Sequence, residues 1–230
     1  KAKKHLLKNT FFDIIDIMIE IKNLYLKYIR EYYALYNINL KIDEGECVAF
    51  TGQEHSGRTT LLRAIAGLEK FDKGEIFIND REIRNVDFST DIELGYVPVV
   101  PVFFENKSVY DNLKYVLQER KVNKNEIENR INQVLIDFKI EKYRNIKIQD
   151  LDLFEKYLIS FVRLSLRPIK ILLVDNIFSK LNEDETNAFI KFIKDLFVSK
   201  KVTTIIVSDS FEIVKEICSR EIHFTSGSID

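Results

Sequence analysis

The chain has 230 residues, 46% of them hydrophobic and 31% charged, a balance that excludes wholesale disorder and suits one domain with an inserted subdomain. Its 35 basic and 36 acidic residues leave a net charge of −1, which excludes a surface devoted as a whole to nucleic acid. No apolar run approaches the ~18 residues that a membrane span needs. Only seven glycines are present and none lies between Gly95 and Gly227, so any glycine-rich functional loop must precede that gap. The two cysteines, Cys47 and Cys218, show neither metal nor disulfide spacing, and a reducing cytosol suits them.

In chain order, residues 1–8 are basic and residues 11–17 are apolar but broken by Asp13 and Asp16, which spoils them as a signal-peptide core. Residues 1–17 are expected to form an N-terminal extension or tail, with a short docking helix as the alternative. Strands and helices then alternate. Ile19-Glu20-Ile21 reads as strand, and Ile38, Leu40 and Ile42 alternate with polar neighbours as a half-buried strand. Asp43-Glu44-Gly45 is a turn, Cys47-Val48-Ala49-Phe50 a buried strand, and residues 59–66 a helix stopped at Gly67. Further strands are expected over 75–79 and 93–97. Ser108 with Asp111 forms a helix-capping pair, and Ile127, Ile131, Val134, Leu135 and Phe138 mark an amphipathic helix.

Residues 151–166 read as helix and Ile171-Leu172-Leu173-Val174 as a central parallel strand. Asn182 and Glu185 cap a helix that buries Phe189, Ile190, Ile193 and Phe197. A β-branched strand over 202–207, a helix near 211–217 and a strand near 222–225 complete the chain. This rhythm predicts an α/β fold with a mostly parallel sheet covered by helices.

The strongest local signal is Gly52-Gln53-Glu54-His55-Ser56-Gly57-Arg58-Thr59-Thr60, which matches the phosphate-loop pattern with arginine in the lysine position. A buried strand ends there, loop N–H groups turn inward, and a helix N-terminus adds its positive dipole. Thr59 supplies a hydroxyl suited to phosphate-bound Mg2+.

Around this loop, residues 18–230 resemble the ATP-binding subunits of ABC transporters, closest to importer-type subunits. Tyr28 stands where that family keeps an aromatic stacked on adenine. Residues 61–68 followed by Gly74-Glu75-Ile76 resemble its first helix and next strand. Gly95-Tyr96-Val97-Pro98 and the segment from Ser108 to Leu113 resemble the glutamine-loop region and the start of the helical subdomain. Ile171-Leu172-Leu173-Val174-Asp175 resembles the Walker B strand, and residues 178–182 the D-loop. The resemblance implies a P-loop NTPase core, an N-terminal antiparallel β subdomain and an inserted helical subdomain over about 100–167. It also implies ATP bound by Tyr28 and by Gly52, Gln53, Glu54, His55, Ser56, Gly57, Arg58, Thr59 and Thr60, with Mg2+ at Thr59 and Asp175.

Five departures fall on the hydrolytic positions. Arg58 replaces the lysine, Val99 the glutamine, Asn176 the glutamate after Walker B, and Asp209 the switch histidine. The family's L-S-G-G-Q falls on Leu151-Asp152-Leu153-Phe154-Glu155, without either glycine. Asparagine orients a water but takes no proton, and a catalytic base is typically worth 10²–10⁴ in rate. Asp209 is expected to face the terminal phosphate with like charge unless it is protonated or paired. Bland readings stand beside these: Val99 as a packed residue, Asp209 as a helix cap, Phe154 as core.

The resemblance therefore implies a cytoplasmic subunit, peripheral on the inner face of the membrane, with ATP bound weakly and hydrolysis very weak or absent. The implied partners are a transmembrane permease, contacted near residues 99–117, and a homodimeric or heterodimeric ABC-type subunit; no nucleic acid is expected. The alternatives are a slow but genuine ATPase subunit and a soluble regulatory or scaffold protein with the same fold.

Overall fold

A computed structural model describes residues 17–29, 32–88 and 92–230. The extension expected over 1–17 lies outside the described residues except at its last position. Strand β1 (Ile17–Ile29) pairs antiparallel with β2 (Tyr32–Asp43) and with β4 (Lys73–Ile78), and β5 (Arg81–Glu82) adds a short edge. Ile19 faces Ile42 and Ile21 faces Leu40, so one side of this sheet is a continuous aliphatic surface. The sequence reading found only parts of β1 and β2. Register shifts between Ile21 and Leu24, with Asn23 at φ +45°, break the simple alternation that marks a strand.

The second sheet has the order β10-β9-β3-β8-β7-β6. Its strands are β3 (Cys47–Gly52), β6 (Leu94–Val97), β7 (Ile171–Asp175), β8 (Thr203–Val207), β9 (Arg220–Thr225) and β10 (Ser228–Ile229). All neighbours are parallel except β10, which returns antiparallel on β9. Every residue of β7 and β8 is buried, and all but the terminal Asp175 are apolar or β-branched, as central strands require. Register aligns Phe50, Val207 and Asp175, so three chain segments emerge side by side at the carboxyl edge. Ligands bind at that edge in open α/β sheets.

Helix α1 (Arg58–Ile65) packs with both sheets in one core that includes Leu24, Leu35, Phe50, Leu61, Ile205 and Phe224. The opposite face of the parallel sheet meets α4 (Leu153–Ser165) and α5 (Glu183–Leu196) through Tyr157, Phe161, Phe189 and Ile193. A third core joins α2 (Val109–Glu119), α3 (Lys124–Asp137) and the other side of α4 through Leu113, Leu117, Ile131, Leu135, Ile159 and Val162. Helix α4 is thus apolar on two faces and ties the helical layer to the sheet. The last helix, α6 (Phe211–Val214), is shorter than expected, and Ser210, not Asp209, caps it by accepting from the Glu212 N–H.

Both cysteines are free, yet they lie closer together than their spacing in the chain suggests. Cys47 opens β3 and Cys218 precedes β9, and the parallel pairing of those strands sets the two buried sulfurs 3.3 Å apart. Adjacency in the sheet, not spacing in the chain, brings them together.

Candidate nucleotide-binding site

The loop between β3 and α1 has the conformation its glycines demand. Gly52 has φ +138° and Gly57 φ +104°. A Cβ at Gly52 would lie 2.3 Å from the Phe224 carbonyl oxygen, and one at Gly57 2.6 Å from that of Ala34. Strands β9 and β2 therefore press directly on the loop, and no side chain fits at either position. Gly57 is also the N-cap of α1 and supplies no side-chain acceptor. The first-turn N–H groups of α1 are left for an outside acceptor, whereas α2, α4 and α5 each close theirs with a capping box. Within the loop the Ser56 hydroxyl is buried and has no hydrogen-bond partner. An orphaned buried hydroxyl beside an uncapped helix start fits a phosphate group.

A cavity of about 400 Å3 lies over α1, lined by Tyr28 and Tyr32 at one end and by His55, Ser56 and Thr59 at the other. Tyr28 is 56% exposed, with its hydroxyl 3.3 Å from the Thr60 hydroxyl oxygen. A second cavity of about 660 Å3 lies against Gly52, Gln53, Asn176 and Asp209. Glu54, Val99 and Asn176 border both.

Thr59 donates its hydroxyl to Asp175 Oδ1 at 2.7 Å, and Tyr96 donates to Oδ2 at 2.9 Å. Burial first, and the Asp175 charge second, push the Tyr96 phenol up, so it remains a donor at neutral pH. A threonine hydroxyl beside a buried carboxylate is a hard-oxygen pair of the kind Mg2+ accepts. Tyr96 is the functional neighbour that sequence reasoning missed: its strand was identified, but not the polar tip that reaches Asp175.

Arg58 departs most from expectation. Its guanidinium is buried and folds back under the sheet edge. It donates to the Ser208 carbonyl at 2.6 Å, to the Gln53 carbonyl at 3.2 Å and to Asp209 Oδ1 at 3.3 Å. Asp209 is therefore not a lone acid facing a phosphate; it is the ion-pair partner of the residue that replaced the lysine.

Asn176 and the signature position have local structural reasons, whereas at 99 the contact is made by a backbone carbonyl that any residue supplies. Asn176 sits at φ +46°, ψ +38°, a left-handed conformation that asparagine tolerates better than glutamate. Its backbone N–H donates to the Val207 carbonyl, and its side-chain Oδ1 is buried without a partner. The Val99 carbonyl accepts from the Tyr157 hydroxyl at 2.6 Å, and burial pushes that phenol up to about 12. Asp152 and Glu155 form the capping box of α4: the Glu155 N–H donates to Asp152 Oδ1 at 2.8 Å, and the Asp152 N–H donates to Glu155 Oε2 at 3.0 Å. Phe154 packs on Phe189 with ring centroids 4.9 Å apart.

The chain is similar to known proteins in sequence and in fold. The family profile described as "ABC transporter" matches residues 35–179. The chain is 30% identical over 217 residues to the methionine import ATP-binding protein MetN of Clostridioides difficile, covering 92% of this chain and 67% of that protein. It is also 30% identical over 217 residues to the sulfate/thiosulfate import ATP-binding protein CysA of Mannheimia succiniciproducens, covering 92% of this chain and 60% of its relative. The chain thus spans about two-thirds of the length of such relatives. Among solved structures, cbiO1 from Clostridium perfringens, part of the transporter complex cbiONQ, superposes with a TM-score of 0.80 at 22% identity, over 94% of this chain and 87% of that one. The ATP-binding cassette MJ0796, a dimer bound to ADP and Pi, superposes with a TM-score of 0.82 at 22% identity, over 93% and 97%. The architecture, the phosphate loop and these matches together establish that the chain belongs to the ABC transporter ATP-binding family.

Proposed function

We propose that the chain is the ATP-binding subunit of an importer-type complex in which it binds nucleotide weakly and hydrolyses it very slowly or not at all. In this reading residues 18–230 are the cassette, with its helical part at about 100–167. Tyr28 stacks on the adenine and the 52–60 loop receives the phosphates. Thr59 and Asp175 hold Mg2+, which when bound neutralises phosphate charge.

One observation carries the impairment: the guanidinium of Arg58 is already committed to two carbonyls and to Asp209. A cation held by internal partners reaches the outer phosphates only by giving up those bonds, and a charged hydrogen bond is worth about 1.5–3 kcal/mol. Asn176 supplies no proton acceptor opposite it. At the signature position, Asp152 and Glu155 satisfy the N–H groups that start α4, so a facing subunit's nucleotide finds acids there instead of free donors. These groups act as one unit in hydrolysis, and their losses multiply.

The groove between the core and the helical layer, about 540 Å3, supports the permease contact. Leu68, Val102, Phe104 and Tyr115 line it and are largely exposed, an apolar patch of the kind that marks a protein interface. Among the described residues no helix is long and apolar enough to cross a membrane. In this reading the chain lies on the inner face of the membrane, held by the permease and paired with itself or with a second ABC-type subunit. The exposed groove favours this over an unpartnered soluble regulator.

Calorimetric titration with ATP and with ADP, with and without Mg2+, tests the reading, together with a phosphate-release assay. Weak binding, little preference for ATP and no steady turnover are expected. Tight binding that strongly prefers ATP, or steady turnover by the isolated chain, overturns it.

A further inference from the structure

The Cys47 and Cys218 sulfurs are 3.3 Å apart in the second core, both buried, although 171 positions separate them in the chain. Rigid backbone holds each one. Cys47 is the first residue of β3, and its carbonyl accepts from the Ser219 N–H at 2.8 Å and the Ser219 hydroxyl at 3.1 Å. The Cys218 N–H donates to the Val214 carbonyl at 2.9 Å. The Ser219 contacts thus fix the Cys218 segment beside Cys47, and the bond to Val214 anchors that segment within its own turn. No other sulfur is near: the chain has two cysteines and one methionine, Met18, which lies in the first core. Neither thiol contributes to the nucleotide site, which is at the opposite end of β3.

We propose that Cys47 and Cys218 are a modification site at which hydrogen peroxide closes an intramolecular disulfide, tying the start of β3 to the entry of β9. The sulfurs need to approach by little more than 1 Å to reach the S–S length of about 2.05 Å. One sulfur attacks the peroxide as thiolate: an S–O bond forms, the O–O bond breaks, and the departing hydroxide takes a proton to leave as water. The second sulfur then attacks the sulfenic sulfur, forming S–S and releasing a second water. Two thiols are oxidised by two electrons, and one peroxide is reduced to two waters. The hydrogen bond with Cys47 first, and burial second, push the Cys218 thiol up. Burial makes the first step slow and selects a small oxidant over a bulky disulfide. The product closes a loop of most of the chain, which restrains the unfolded state strongly.

The test uses the full chain treated with millimolar hydrogen peroxide for hours, then unfolded and alkylated. Thiols that react with the alkylating agent are expected to fall from two to zero per chain. Non-reducing digestion should give one linked peptide pair carrying Cys47 and Cys218. The thermal midpoint should rise and return after treatment with a reductant, while ADP affinity stays unchanged. In Cys218→Ser, dimedone should trap a sulfenic acid on Cys47. Because that variant changes the core, wild-type peptide mapping alone also decides the matter. Separate sulfinic acids on the two residues, an intermolecular dimer, or two thiols still free after unfolding would each overturn the proposal.

Discussion

Replacing Asp209 by asparagine should strengthen ATP binding. The substitution keeps an oxygen within reach of Arg58, which accepts at 3.3 Å in the native chain, but removes the charge. Its size follows from exposure. Arg58 is buried, but the Asp209 side chain is 54% exposed, so the pair is screened nearly as in water. Two unit charges at this separation then attract by roughly 1 kcal/mol, in line with measured half-exposed pairs. The bonds from Arg58 to the Ser208 and Gln53 carbonyls remain and limit the gain. Releasing ~1 kcal/mol corresponds to about a fivefold lower dissociation constant for ATP. ADP should gain less, because Asp209 lines only the second cavity and Tyr28 only the first. Isothermal titration with each nucleotide and Mg2+, at low and at ~0.5 M salt, measures this, and the gain should shrink as salt rises. A thermal melt checks that the fold is kept. Unchanged or weaker ATP binding by a folded Asp209→Asn chain would refute the view that this ion pair competes with the phosphates.

Asn176→Glu alone should give no steady phosphate release, because Arg58, Val99 and the capped signature position remain. It should also cost about 1 kcal/mol of stability, since glutamate enters a left-handed backbone conformation less readily. Asp152→Ala should lower stability by ~0.5–2 kcal/mol in denaturant titration by uncapping α4, and a wild-type melt would show that the cap contributes nothing. The Asp111 carboxyl is held below its usual 3.8, chiefly by the Ser108 hydroxyl at the start of α2. A depressed carboxyl contributes stability above its unfolded pKa and loses it as pH falls through the folded value. Ser108→Ala should therefore destabilise at pH 7, with the difference narrowing toward pH 2.

What could be inferred from the sequence followed the distance over which each feature is built. The phosphate loop is contiguous, so strand, glycines and helix start were all visible in a single stretch. Fully buried β7 and β8 announced themselves by composition. The pairing of Arg58 with Asp209 spans 151 positions and depends on β3 lying beside β8. The sulfur contact depends likewise on β3 lying beside β9. Neither follows from spacing. The α4 cap is a different case: Asp152 and Glu155 have the same three-residue offset as Ser108 with Asp111 and Asn182 with Glu185, which were recognised. At 152–155 the comparison with a lost family motif drew attention to what the acids were not. The polar tip of Tyr96 was hidden because a strand-end tyrosine is ordinarily an apolar residue with an exposed hydroxyl.

The Arg58–Asp209 pair also constrains how the site can change. A lysine restored at 58 still has an aspartate at the edge of the phosphate path. A histidine restored at 209 faces a buried guanidinium. Each single step back toward the family pattern thus meets a partner suited to the replacement, and only the double step removes the mismatch. Two positions 151 residues apart, one opening α1 and one in the loop after β8, thus act as a single unit in which a change at either is felt at the other.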